Sequence, residues 1–171
     1  KELPTLGVTR LTGDVENFTA IYDKLTGLSP VPVEIDICPG EANGYFSSME
    51  NRIVLRPGMS QIQTVKTLVH EIAHAKLHDA KNIPPEERKQ RREKEVEAES
   101  IAYVVCQHFG IDTSEYSFGY VAGWSRGKEM NELKSSLDQI HSTAGEIIAA
   151  LDDTCMVHTQ VKSKPTPQFA R

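Results

Sequence analysis

Apolar residues recur along this chain in distinct rhythms, and each change of rhythm marks a new element. In GDVENFTAIYDKLTG, Phe18, Ile21, Tyr22 and Leu25 return every three or four residues, the spacing of an amphipathic helix, and Gly27 sits where such a helix would stop. VPVEIDICPG then alternates. Val31, Val33, Ile35 and Ile37 stand against polar partners up to Pro39-Gly40, the period of a half-buried strand. GYFSSMENRIVLRPG holds two short β-prone runs about a polar tetrad, which predicts a hairpin. A small antiparallel sheet is therefore expected before the chain turns helical.

After Pro57-Gly58, Ile62, Val65, Leu68, Val69, Ile72 and Ala73 form an apolar helical stripe, and Ser60 with Gln63 can make a capping box at its start. This helix must end before Pro84-Pro85. A second is expected from about Glu86 to Phe109, stopped at Gly110, its first half EERKQRREKE being a solvated face of mixed sign. TSEYSFGYVAGWSRG predicts a short helix with turns. Beyond it Met130, Leu133, Leu137, Ile140, Ala144, Ile147, Ile148 and Leu151 predict a long amphipathic helix. The pattern as a whole is α+β: one domain over 1–152, with 153–171 a flexible tail that has little to bury.

Composition narrows the function. Of 171 residues, 39% are hydrophobic and 25% charged, and no apolar run nears the roughly 20 residues of a membrane span. The formal net charge of -5 offers no broad attraction to phosphate backbones, so nucleic acid is disfavoured as a partner of this domain. Cys38, Cys106 and Cys155 are too few and too far apart for a disulfide framework, which fits buried thiols in a reducing, cytoplasmic setting. The opening KELPTLGVTRLTGD has neither an initiator Met nor the layout of a secretory signal, and the expectation is a fragment or a processed product.

The chemistry is concentrated in TLVHEIAHAKLHD. Residues four apart on a helix differ by about 40° in direction and about 6 Å along the axis, so His70 and His74 can share one ion. Zinc suits that bite, because imidazole binds it at about 2.0 to 2.1 Å and a catalytic site keeps a position for water beyond three protein ligands. Glu71, next round the helix, is placed to take a proton from that water. His78 lies two turns from His70, too far for all three histidines to share the ion. EKEVEAES offers Glu93, Glu95, Glu97 and Glu99 for a third ligand, Glu95 being favoured, with Glu97 and Glu99 as the alternatives. Glu95 shares a stripe of mostly small side chains with Ala98, Ala102 and Cys106, so its face can approach the motif helix closely and point Glu95 at the ion. Glu99, a turn later, can accept a hydrogen bond from the far nitrogen of a ligand histidine, and Glu97 points about 160° away from Glu95. Oxyanion stabilisation calls for a further donor, for which Tyr116, Tyr120, His108 and His141 are available without a spacing that selects one.

His70-Glu71-x-x-His74 followed by Glu95-x-x-Ala98-Glu99 resembles the gluzincin type of zinc metallopeptidase, where a Glu on a later helix completes the site. GYFSSMENRIVL, LVHEIAHAKLH and EVEAESIAYVVCQHFGI are similar to ImmA/IrrE-type metallopeptidases, and closer still to the domains of ArdC-type antirestriction and LtrC-type proteins of bacterial conjugative elements. The resemblance covers roughly residues 42–150. It implies a zincin-like fold, Zn2+, hydrolysis of peptide bonds in a protein substrate such as a regulatory partner, and a bacterial mobile-element context. Such families often carry Asp or Asn where this chain has Glu99. The rival expectation is a zinc-stabilised antirestriction module that acts by binding rather than cleavage.

Overall fold

The computed structural model describes residues 11–113 and 130–159. The short helix expected within 113–127 and the far end of the tail lie almost wholly outside them. Among the described residues, four α-helices and a three-stranded sheet follow the order α1 (Phe18–Leu28), β1 (Val33–Ile35), β2 (Gly44–Ser47), β3 (Arg52–Leu55), α2 (Gln61–Leu77), α3 (Arg91–His108) and α4 (Met130–Thr159). The architecture is α+β, as expected, and the helix α4 continues past residue 152.

The sheet departs from expectation. It is mixed rather than antiparallel: β2 and β3 form the hairpin, with Tyr45 opposite Val54, while β1 runs parallel to β3, with Glu34 opposite Val54. The strand order is β1-β3-β2. The segment between β1 and β2 reverses the chain but leaves a gap one strand wide, and β3 returns from the hairpin into that gap. Pairing in this way places β3 in the middle of the sheet, which is why Ile53, Val54 and Leu55 are all buried. On the outer strand β1 the apolar alternation is not used throughout: Val31 is buried, but Ile35 and Ile37 are 62% and 84% exposed.

The helices also differ in detail. Gly27 lies inside the last turn of α1, which ends at Leu28, and Ser29 caps it with extended backbone. Residues expected to open the second helix instead form a separate 3-10 turn, Pro85–Glu87, after which Gln90 is extended and α3 begins at Arg91. The Arg88 guanidinium holds this break by donating to the carbonyls of Ala80 and Ile83. On α4, Ile140, Ala144, Ile147 and Leu151 face the core, whereas Leu137 is 54% exposed and Ser136 is buried in its stead.

One core cluster joins α1, the sheet and the other three helices through Leu25, Ile53, Leu68, Ile72, Ile101 and Ile147, among others. Each such aliphatic, buried from water, contributes about 1.5 to 3 kcal/mol. Cys38 and Cys106 are buried free thiols, and burial pushes the Cys106 thiol up to about 12, leaving it inert.

The sheet meets α2 at Gly44. A Cβ there would lie 2.8 Å from the Thr67 Cγ2 on α2, 3.0 Å from the Val54 carbonyl oxygen and 3.1 Å from the Leu55 Cδ2. The backbone oxygen cannot step aside. Gly44→Ala should therefore destabilise the fold by about 1 to 3 kcal/mol through overpacking, a loss measurable as a lower urea midpoint at unchanged slope.

Candidate metal centre

α2 starts where Ser60 accepts a hydrogen bond from the Gln63 backbone at 3.1 Å, half of the expected capping box. The Gln63 side chain turns elsewhere, donating to Thr67 at 3.0 Å and accepting from the Leu11 backbone at 3.0 Å. Four turns of helix then carry His70, Glu71 and His74 to the floor of a cleft of about 720 Å³, walled by residues 41–46 on one side and by Arg91, Lys94 and Glu95 of α3 on the other. α3 comes close because Ala98, Ala102 and Cys106 on the face it turns inward are small and fully buried.

Three groups converge there. His70 Nε2 and His74 Nε2 are 3.1 Å apart, and the Glu95 oxygens lie 3.4 Å from the first and 3.6 Å from the second. A tetrahedral ion bound at about 2.0 to 2.1 Å has its ligands about 3.3 to 3.4 Å from one another. The observed triangle has that size, and its members are the two imidazoles and the carboxylate that such an ion takes. Burial works against a charged His70, yet Glu95 and Glu99 outweigh it and hold the imidazole pKa up at about 9. Burial likewise opposes the Glu95 carboxylate, but the two histidines keep it well below the ordinary range. Glu71, nearly buried, lines the same cleft.

Behind His70 stands Glu99, fully buried, with Oε2 3.1 Å from Nδ1 and 2.8 Å from the Lys66 ammonium. Those two partners, against the cost of burial, draw Glu99 down to about 2, while burial lowers Lys66 despite the carboxylate beside it. Behind His74 the arrangement is longer. Its Nδ1 lies 2.9 Å from the His78 Nδ1, and the His78 Nε2 lies 2.8 Å from Glu97, a carboxylate with no exposed surface. Lys89 donates to the other Glu97 oxygen and to Gln139 of α4.

The structure thus brings together His70, Glu71, His74 and Glu95. Glu97 points away from the triangle, as its helical angle indicates. His108 pairs with Asp152 at 3.0 Å and His141 is exposed on α4, so neither lines the cleft. Tyr116 and Tyr120 lie outside the described residues. The sequence pattern did not single out Lys66, and it placed Lys89 on a solvated helix face of mixed sign. The available signal was spacing: Lys66 precedes His70 by four residues, as His74 precedes His78.

Residues 38–119 match the peptidase family described as the IrrE N-terminal-like domain. The match supports an ImmA/IrrE-like domain. It spans β2, β3, α2 and α3, and so every member of the triangle, and it supports a peptidase kind of hydrolytic activity. An uncharacterized protein of Bacillus anthracis is 33% identical over 158 residues, which cover 89% of this chain and 25% of that protein. The chain therefore spans about a quarter of the length of this relative. No solved structure matches this chain.

Removing one partner from the Lys66–Glu99 pair strands a buried charge, which typically costs about 3 to 5 kcal/mol. Lys66→Met should lower unfolding free energy by that order in a denaturant titration. Adding Glu99→Gln to it should recover part of the loss, since the core then no longer buries an unbalanced carboxylate.

Proposed function

We propose that this chain is a zinc-dependent endopeptidase in which His70, His74 and Glu95 hold the ion and Glu71 is the general base. The observation that supports it most directly is the size of the His70–His74–Glu95 triangle, which fits a tetrahedral ion with a position left open toward the cleft. Zinc, when bound, supplies Lewis acidity that polarises the scissile carbonyl and makes water a nucleophile near neutral pH. Glu71 accepts the proton that water loses in attacking the carbonyl, then delivers it to the amine nitrogen as the peptide bond breaks. Glu95 and the imidazoles contribute position rather than proton transfer.

A protein substrate suits the shape of the cleft. Among the described residues β2 is an edge strand, with β3 on one of its sides, and Gly44, Tyr45 and Phe46 line the cleft beside the triangle. An extended peptide can lie along such an edge with its carbonyl over the ion site, gaining main-chain hydrogen bonds. On this proposal the activity belongs to a bacterial mobile element, a reading the resemblance to ArdC- and LtrC-type domains supports, and the substrate is a regulatory protein, as the ImmA/IrrE-type resemblance suggests. The described residues include no helix long and apolar enough to cross a membrane.

Purified protein should carry about one zinc per chain, the stoichiometry of a three-ligand site. Glu71→Gln should keep that zinc and lose about 100- to 10,000-fold in proteolysis, the range for removing a general base. Glu95→Ala should instead lose the metal. Unimpaired cleavage by Glu71→Gln would remove Glu71 from the reaction, and a wild-type chain that stays metal-free against excess zinc would end the proposal.

A further inference from the structure

The two histidines of the triangle are backed differently. Glu99 meets His70 directly, whereas His74 meets another histidine, and a histidine can present either a donor or an acceptor. Something must decide which face His78 offers, because two imidazole Nδ1 atoms 2.9 Å apart can share only one proton between them.

The decision comes from the far end. The Lys89 ammonium can only donate, and it occupies one oxygen of Glu97, which also accepts a hydrogen bond from Ser136 of α4. The carboxylate so paired accepts at its other oxygen as well, so the His78 Nε2, 2.8 Å away, must carry a proton and donate it. Neutral His78 then has a bare Nδ1. That atom accepts from the His74 Nδ1, which must carry its own proton, and the His74 Nε2 is left with a lone pair directed at the His70 Nε2 and Glu95. Each step follows from the one outside it, from Lys89 inward.

We infer that Lys89, Glu97 and His78 are positioning residues that fix His74 as its Nδ1–H form and turn its Nε2 lone pair into the cleft. The inference rests on reading His74 as a metal ligand, and it adds three residues to that site, none of which touches the ion. Burial supports it, since Glu97 and His78 are 0% and 7% exposed and water cannot substitute freely for either partner. The outer end is anchored in α4, where Gln139 accepts from Lys89.

The test uses the whole chain, labelled with 15N at histidine and loaded with stoichiometric zinc. Long-range 1H–15N spectra should show His78 protonated at Nε2 alone and His74 protonated at Nδ1, with a metal-shifted Nε2. Competition with a chromogenic chelator should show His78→Leu weakening zinc affinity by about 10- to 100-fold, the usual effect of losing the partner behind a ligand histidine. His78→Asn should recover most of it, because its amide oxygen can take the place of the bare Nδ1. A purely structural role for His78 would not give that rescue. Zinc bound with the His78 proton on Nδ1, or on both nitrogens, overturns the relay and leaves the metal site standing. So does wild-type affinity in His78→Leu, and should that variant not fold, the spectra of the unaltered protein decide alone. A wild-type chain that binds no zinc overturns the metal site and the relay together.

Discussion

Two carboxylates of α3 are buried, Glu99 against α2 and Glu97 between His78 and α4, and the groups around the cleft take their orientation from how those charges are balanced. A lone carboxylate in such a place is expensive by several kcal/mol. Each therefore has a lysine, Lys66 for Glu99 and Lys89 for Glu97, and each also meets a histidine, His70 and His78 respectively. The seam between α2 and α3 closes only because Ala98, Ala102 and Cys106 let the helices approach, so packing and charge balance are one constraint. Apolar residues of similar volume would satisfy the packing at no loss of stability, and often with a gain. The ionic arrangement is better explained by what it does for His70 and His74 than by what it adds to the fold.

The cleft inherits a particular electrostatic state. With Glu99 matched by Lys66 and Glu97 by Lys89, Glu71 and Glu95 remain as carboxylates without a lysine of their own among the ion pairs of the described residues. The raised pKa of His70 registers this negative potential: after burial has worked against the charge, Glu95 and Glu99 still hold a proton on the ring. His78 is displaced the other way, because burial outweighs the pull of Glu97 and the ring stays neutral. A site that attracts a proton so strongly attracts other cations, and it binds them in competition with protons. Potential and geometry thus point to the same class of occupant.

How much of this could be read from the chain depends on the distance over which each feature is determined. His70, Glu71 and His74 share one helix, so spacing alone places them, and the small-residue stripe of α3 orients Glu95 by the same local rule. The hairpin was legible from its two runs and polar turn. The parallel pairing of β1 was not, because which strand fills a gap is settled by the return of the hairpin and not by the alternation within β1. Ile35 and Ile37 misled for the same reason: period-2 apolar residues mark a face, but not whether anything covers it. Lys66 and Lys89 look like solvent-facing cations in any window of sequence, and only contacts 33 and 8 residues away reveal them as counter-ions. Ser136 in place of Leu137 at the buried edge of α4 has the same origin, since a polar partner is required where Glu97 arrives.

The two arms behind the histidines also differ in where they end. Behind His70 stand Glu99 of α3 and Lys66 of α2, both inside the residues that match the IrrE N-terminal-like family. The arm of His74 leaves that span: Glu97 and Lys89 belong to it, but Ser136 and Gln139 sit on α4, beyond residue 119. α4 is held independently by its own apolar face, Ile140, Ala144, Ile147 and Leu151, against the shared core. Its register therefore sets where Gln139 and Ser136 meet Lys89 and Glu97, and a helix outside the family span bears on one imidazole of the triangle. A shift of α4 by one turn, about 5.4 Å, would break the outer contacts of His74 without touching those of His70, so the two imidazoles, alike in sequence, are supported by different parts of the molecule.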